Sequence, residues 1–68
     1  MKKNFLPPLC IEHCFIDDYT DREVVCTSLQ EAKEWARGYR EESFSSLYVY
    51  DSEGEELASN YFELMELK

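Results

Sequence analysis

A helix start near residue 28 constrains the fold of this chain more than any other feature of its sequence. Thr27 and Ser28 are each followed, three residues later, by a glutamine or a glutamate, which is the capping-box pattern of a helix N-terminus. At about 100° per residue, one arc of roughly 120° collects the apolar side chains Leu29, Ala32, Trp35, Ala36 and Tyr39. The sequence therefore predicts an amphipathic helix over residues 28–42 with this arc buried, although Gly38 weakens its last turns.

Two strand-like runs precede the helix. Residues 9–16 are rich in apolar and aromatic side chains, and Leu9, Ile11 and Phe15 would share one face of a strand. A polar, aspartate-rich cluster at residues 17–21 separates this run from a second one at residues 22–26. This arrangement predicts a β-hairpin.

A second hairpin follows the helix. Residues 44–50 alternate, with Leu47 and Val49 on one face of a half-buried strand. Asp51 and Gly54 then occupy the first and last positions of a turn, and the glycine accommodates the left-handed conformation that such a turn requires. Residues 55–59 continue as a fourth strand.

The period of the last segment, residues 61–67, fits two structures. Phe62 and Leu64 would share a strand face, whereas Tyr61, Leu64 and Met65 would share a helix turn. We favour a fifth edge strand. The predicted class is α+β, with a single helix on a four- or five-stranded antiparallel sheet in the order β-β-α-β-β(-β), residues 1–68 forming one domain and residues 1–8 an N-terminal arm.

The charge of the chain limits its partners. A formal net charge of −8 on 68 residues repels nucleic acid and anionic membranes, and it attracts basic surfaces. The longest apolar runs are also too short to span a bilayer. We expect a protein partner with a basic surface, no direct nucleic-acid binding and no membrane association, from a monomer or a homodimer.

The three cysteines are an odd number, and Pro7 and Pro8 interrupt the first apolar run, so we expect a reduced, cytoplasmic chain. Cys10, His13 and Cys14 form C-x2-H-C, and Cys26 could complete a zinc site. On a strand, however, Cys10 and Cys14 share one face and His13 lies on the other. We therefore expect no metal and no cofactor.

No catalytic residue is predicted. Nucleophilic or redox chemistry needs a thiol at a suitable spacing from a base or from a second cysteine, and no thiol here has it, so the chain is not expected to be an enzyme.

Two sets of side chains are candidates for binding a basic partner. The acidic set comprises Glu12, Asp17, Asp18, Asp21, Glu53, Glu55, Glu56 and Glu63. The aromatic set comprises Tyr19, Tyr48 and Tyr50, which form either the second face of the sheet or a contact patch of the kind enriched at interfaces.

A basic flank on the predicted helix is the third candidate surface. Lys33, Arg37 and Arg40 fall together on the helical wheel, where like charges repel one another by a few tenths of a kcal/mol. Acids such as Glu34 and Glu41 would offset this repulsion. Alternatively, the flank binds a small anionic ligand or a nucleotide.

The run T-S-L-Q-E-A-K at residues 27–33, followed by Ala36, Phe44, Leu47, Val49, the turn at residues 51–54 and Leu57-Ala58, resembles a β-β-α-β-β pattern. It is similar to some small phage-encoded inhibitors, including type I anti-CRISPR proteins, and to DUF2188-type bacterial domains. The resemblance covers about half of the chain and implies a sheet with one helix on a face and a protein that binds another protein.

Charge and resemblance together lead to a functional hypothesis. The chain is expected to be a non-catalytic interaction module, a phage-type inhibitor that occupies a basic, nucleic-acid-binding surface of a host defence complex in the host cytoplasm. The alternative is a regulatory domain that binds a small anionic ligand or nucleotide through the basic flank.

Overall fold

The sheet of this protein has one long edge, one short edge and a helix pair on one face. The computed structural model describes residues 7–67, so most of the N-terminal arm predicted at residues 1–8 lies outside the described residues. The elements, in chain order, are β1 (Leu9–Phe15), β2 (Asp18–Cys26), α1 (Leu29–Arg37), a 3-10 turn (Glu41–Ser43), β3 (Phe44–Tyr50), β4 (Glu56–Ala58) and α2 (Tyr61–Glu66).

The strands form one four-stranded antiparallel sheet in the order β2-β1-β3-β4. The two hairpins join at the centre because β1 pairs with β3, which places Ile11 between Val24 and Val49. The predicted α+β class with a four-stranded antiparallel sheet is confirmed.

One face of the sheet builds the core. Alternate strand residues point to this face, where they meet the apolar arc of α1 and one side of α2. The buried cluster consists of Leu9, Ile11, Cys26, Ala32, Ala36, Leu47, Val49, Ala58 and Leu64. Both helices therefore cover the same side of the sheet, and the other side carries no helix within residues 7–67.

The start of α1 is confirmed, with Ser28 as its N-cap. The Ser28 hydroxyl accepts a hydrogen bond from the Glu31 backbone N–H at 3.1 Å, and the Glu31 carboxylate accepts one from the Thr27 backbone N–H at 2.7 Å. The helix ends at Arg37, five residues before the predicted end. The backbone N–H of Gly38 there bonds to the Trp35 carbonyl at 3.2 Å, a tightened last turn that leads out of the helix.

The prediction of a single helix and a fifth strand was wrong, because Tyr61–Glu66 forms α2. Asn60 is its N-cap, accepting a hydrogen bond from the Glu63 backbone N–H at 2.8 Å. The Glu63 carboxylate in turn accepts from the Ser59 backbone N–H at 2.8 Å. These reciprocal bonds satisfy backbone donors that a strand would have left at the sheet edge.

The first of the two turns differs from the sequence-based expectation, and the second agrees with it. Strand β2 begins at Asp18 and not at residue 22, so the first turn is short and part of the aspartate cluster lies on a strand. The second turn has the predicted form. Gly54 adopts a φ of 83°, and its N–H donates to the Asp51 carbonyl at 2.9 Å.

Within residues 7–67, neither helix has the length and apolar character needed to cross a lipid bilayer.

Candidate functional site

The sheet face opposite the helices is the candidate site. Because Leu9 and Ile11 are buried beneath the helices, the alternate residues Cys10 and Glu12 point the other way. The cross-strand partners of these two residues share that face. We call this surface the acidic open face, formed by Cys10, Glu12, Asp21, Glu23, Val25, Tyr48, Tyr50 and Glu56.

The acidic open face is organised in rows across the strands. One row places Glu12 directly opposite Glu23 on β2 and directly opposite Tyr48 on β3. Like charges directly opposite each other destabilise a sheet, by up to about 1 kcal/mol. The fold therefore carries an electrostatic cost in this row that a cationic group placed above it would remove.

A second row runs parallel to the first. Cys10 lies opposite Val25 on β2 and Tyr50 on β3, and Tyr50 lies opposite Glu56 on β4. Partial burial and the nearby carboxylates of Glu12 and Glu56 raise the pKa of the Tyr50 phenol. The two rows together present carboxylates alternating with aromatic rings.

The surface is grooved on both sides of Glu12. One open groove of about 410 Å³ is lined by Glu12, His13, Asp21, Arg22, Glu23, Ser46 and Tyr48. Another, of about 370 Å³, is lined by Cys10, Glu12, Tyr50, Asp51, Ser52 and Gly54. Side chains of a partner could enter both grooves, with the Glu12 carboxylate between them.

The Cys10 thiol belongs to this surface and is held in its protonated form. Its Sγ donates a hydrogen bond to Glu23 Oε2 at 2.7 Å. Desolvation, this hydrogen bond and the negative charges of Glu23 and Glu12 raise the pKa of the thiol to about 12. Since the thiolate is the reactive form, the thiol is protonated and unreactive at neutral pH.

Alkylation measures this effect directly. At pH 8 we expect Glu23→Gln to speed the reaction of Cys10 with iodoacetamide by about ten-fold or more, because each unit by which the pKa falls raises the thiolate fraction about ten-fold. Peptide mass spectrometry would assign the modified cysteine. Glu56→Gln removes the same charge without touching the thiol and should leave the rate nearly unchanged; equal rates for Glu23→Gln and wild type would contradict the assignment.

One group of potential metal ligands occurs within residues 7–67. A ligand atom from each of Cys10, Glu12 and Glu23 lies within 4.8 Å of the others. A metal ion there would have to displace the thiol proton that now bonds to Glu23.

The C-x2-H-C residues are not brought together. His13 lies on the helix-covered side, with Nδ1 3.1 Å from the Ile11 carbonyl oxygen and its ring centroid 4.7 Å from that of Trp35. Cys26 lies in the core, while Cys14 is buried with its thiol directed at the Asp18 carbonyl at 3.5 Å. The strand alternation expected from the sequence accounts for this separation.

Of the predicted acidic set, the structure places Glu12, Asp21 and Glu56 on the acidic open face and the others elsewhere. Asp17 lies in the first turn, and Glu53 and Glu55 lie around the second. Glu63 caps α2, and its hydrogen bonds from Ser59 lower the pKa of its carboxyl.

Asp18 is already paired within the chain. Its carboxylate accepts hydrogen bonds from the Arg22 guanidinium and from the Thr20 backbone N–H. These bonds, the Arg22 bond foremost, hold the pKa of the Asp18 carboxyl at about 2. Asp18 and Arg22 therefore neutralise each other beside the groove, and among residues 7–67 no cation forms an ion pair with the carboxylates of the acidic open face.

Sequence reasoning missed Glu23. It lies two residues after Asp21, the nearest predicted acid on β2, and belongs to no motif, so only the pairing of Glu12 with Glu23 reveals its place on the acidic open face. Tyr48 and Tyr50 were predicted and lie on the acidic open face. Tyr19 is 79% exposed near the start of β2, beyond an irregularity in the pairing of β1 with β2.

The basic flank is only partly formed. Lys33 and Arg37 remain on α1 and line a depression of about 270 Å³ with Leu29, Gln30 and Leu67, whereas Arg40 lies beyond the end of the helix. The prediction that all three residues share one flank of the helix was wrong for Arg40, because α1 ends at Arg37.

The cations of the basic flank have few partners among the described residues. Lys33 Nζ donates a hydrogen bond to the Leu67 carbonyl. Across residues 7–67 no carboxylate forms an ion pair with these three cations, so the pairing with acids weighed as an alternative is not observed there.

No family model, curated protein or solved structure matches this chain, so its resemblance to the small phage-encoded inhibitors and to the DUF2188-type domains stays a prediction.

Proposed function

We propose that this protein is a non-catalytic interaction module whose acidic open face docks on a basic protein surface. One observation carries the proposal. One face of the sheet forms the core, and within residues 7–67 no helix covers the other face, where carboxylates and tyrosines lie opposite one another on neighbouring strands. Such a face combines the long-range attraction of charge with the contact area of aromatic rings.

The electrostatics favour a cationic partner. Glu12 and Glu23 face each other, and Asp21 lines the same groove. Lysine or arginine side chains from a partner would relieve the repulsion in this row while gaining charge-assisted hydrogen bonds. An arginine could also stack on the exposed ring of Tyr48, which is 39% accessible.

Two of the three thiols support a binding role over a catalytic one. The pKa of Cys10 is raised to about 12, and burial raises the pKa of Cys26 as well. A cysteine nucleophile requires the opposite shift.

The partner surface that we propose is one that normally holds nucleic acid, in a host defence complex inhibited by a phage-type protein. Nucleic-acid sites are basic and tuned to regularly spaced negative charge. Carboxylates two residues apart on a strand, such as Asp21 and Glu23, lie about 6.5–7 Å apart along the strand and present a pair of negative charges at a fixed spacing.

A capture experiment with two triple variants tests the proposal. Glu12→Gln/Glu23→Gln/Glu56→Gln removes three charges from the acidic open face, and Glu41→Gln/Glu42→Gln/Glu66→Gln removes three exposed charges elsewhere. From host lysate at about 100 mM salt, we expect wild type and the second variant to retain the same basic protein and the first to lose it. Elution near 500 mM salt should follow, since screening weakens exposed charge pairs.

Two outcomes would overturn the proposal. Equal loss in both variants would mean that net charge, and not this face, determines binding. Binding of the partner that does not weaken as the salt concentration rises would rule out electrostatic docking. For the partner captured, a short DNA or RNA duplex that competes with the protein would support occupation of a nucleic-acid site, and a duplex that binds alongside it would exclude that narrower assignment.

The alternative, a regulatory domain for a small anionic ligand or nucleotide, has the support of Lys33 and Arg37 lining one depression. It is the weaker proposal because Lys33 is engaged with Leu67 and Arg40 has left the helix. A thermal-shift screen with nucleotides and phosphorylated metabolites tests it, since a ligand at 100 times its dissociation constant adds about 2.7 kcal/mol.

A further inference from the structure

The two edges of the sheet differ in what they offer a partner. Strand β4 is three residues long and is followed at once by α2, which packs against it. Strand β2 runs for nine residues, and no strand within residues 7–67 lies on its outer side. A long edge of this kind is a template for the addition of another strand.

The side chains along β2 form a defined row on the acidic open face. Residues 21, 23 and 25 alternate with those that point toward the helices, and Tyr19 follows them across an irregularity in the β1–β2 pairing between Arg22 and Asp18. Tyr19 and Val25, at the two ends of the row, are 79% and 59% exposed. Asp21 and Glu23 lie between them, so the row reads apolar, acidic, acidic, apolar.

The charges in this row decide what can pair with it. In an antiparallel pair of two copies centred on Arg22, Asp21 of each would lie opposite Glu23 of the other, and like charges directly opposite destabilise a sheet. The net charge of −8 on each chain adds a long-range repulsion. A second copy is therefore disfavoured, and a strand that brings cations is favoured.

Resting on the proposed function, we infer that an extended basic segment of the partner adds to the sheet along β2. Its backbone would bond to the β2 edge, two of its cations would lie beside Asp21 and Glu23, and apolar side chains would cover Tyr19 and Val25. The recognised pattern is apolar-x-basic-x-basic-x-apolar. This pattern is the same in both directions, so it suits a parallel or an antiparallel strand.

Synthetic peptides test the inference without the natural partner. The probe is the blocked heptapeptide Val-Thr-Lys-Thr-Lys-Thr-Val carrying a fluorophore. One control has the same composition with its lysines adjacent, and the other has alternate backbone nitrogens methylated, in both of the two possible registers. We expect the probe to bind about ten-fold more tightly, measured by fluorescence anisotropy, than the adjacent-lysine peptide and at least one of the methylated peptides.

Variants locate the binding on the fold. Asp21→Asn/Glu23→Gln should weaken the probe by about ten-fold, whereas the matched pair Glu41→Gln/Glu42→Gln should not. Amide hydrogen exchange should slow in Asp18–Cys26 and not in Glu56–Ala58 when the probe is bound. Equal affinity for the probe and both methylated peptides, or slowed exchange confined to other elements, would overturn strand addition.

The two proposals fail in distinguishable ways. If the capture of a basic partner depends on the acidic open face while the probe does not bind, strand addition is wrong and docking on the face stands. If the probe binds along β2 while the capture is unaffected by Glu12→Gln/Glu23→Gln/Glu56→Gln, the edge binds basic strands and the wider docking proposal is wrong.

Discussion

Replacing Leu64 with alanine is expected to lower the free energy of unfolding by about 2–5 kcal/mol, the range for a buried leucine. Leu64 is fully buried and places α2 against the sheet. Total stabilities of small domains are about 5–15 kcal/mol, so this one change should remove a large part of the stability. Urea unfolding followed by the fluorescence of Trp35 measures the loss.

Phe62→Ala is the matched control. In a strand, Phe62 and Leu64 would share a face and cost similar amounts when truncated. In α2, Phe62 is 60% exposed, and we expect a change of less than about 1 kcal/mol. A comparable loss for both variants would contradict the helical assignment of residues 61–66.

The second large effect is expected at Asp51. This side chain is only 6% exposed, and its Oδ1 accepts hydrogen bonds from the backbone N–H groups of Glu53 and Glu55, at 2.9 and 3.0 Å. Asp51→Ala leaves both donors of the turn without their acceptor. We expect a loss of about 1–3 kcal/mol in the free energy of unfolding, measured by thermal and urea denaturation.

Ser52→Ala provides the comparison within the same turn. Ser52 is exposed, and its replacement should change the free energy of unfolding by less than about 0.5 kcal/mol. Asp51→Asn, which keeps one acceptor oxygen, should fall between the two. An Asp51→Ala protein as stable as the Ser52→Ala protein would show that the turn does not depend on these bonds.

The features that sequence reasoning predicted well are those set by local chemistry. The start of α1 follows from the Ser28 hydroxyl and the Glu31 carboxylate, and the second turn follows from Asp51 and Gly54. Each depends on residues at most four positions apart, so the sequence contains the whole interaction.

The two errors about helices, the missed α2 and the early end of α1, also arise from local interactions. Asn60 and Glu63 form a capping pair of the same kind as Ser28 and Glu31, and that pair outweighed the strand-like alternation of Phe62 and Leu64. At the C-terminal end of α1, Gly38 was recognised as unfavourable for a helix. The turn closed by its N–H ends the helix there, so Arg40 is not on the same helix as Lys33.

The candidate site is formed by strand pairing between segments that are distant in the sequence, so it could be predicted only in part. Strand alternation alone separates Cys10 from His13, and this much was predicted. The contact between Cys10 and Glu23, and the row that joins Glu12 to Glu23 and Tyr48, require the register of β1 against two other strands. No pattern within one segment specifies that register, so the acidic residues could be counted from the sequence but not sorted by face.

The central claim is that the acidic open face is the surface that contacts the partner, and carbodiimide cross-linking of the captured complex tests it most directly. The reagent joins carboxylates to lysines in direct contact, and mass spectrometry identifies both. We predict cross-links from Glu12, Glu23 and Glu56 to lysines of the partner. Cross-links confined to Glu41, Glu42 and Glu66, which are exposed on other parts of the fold, would contradict the claim.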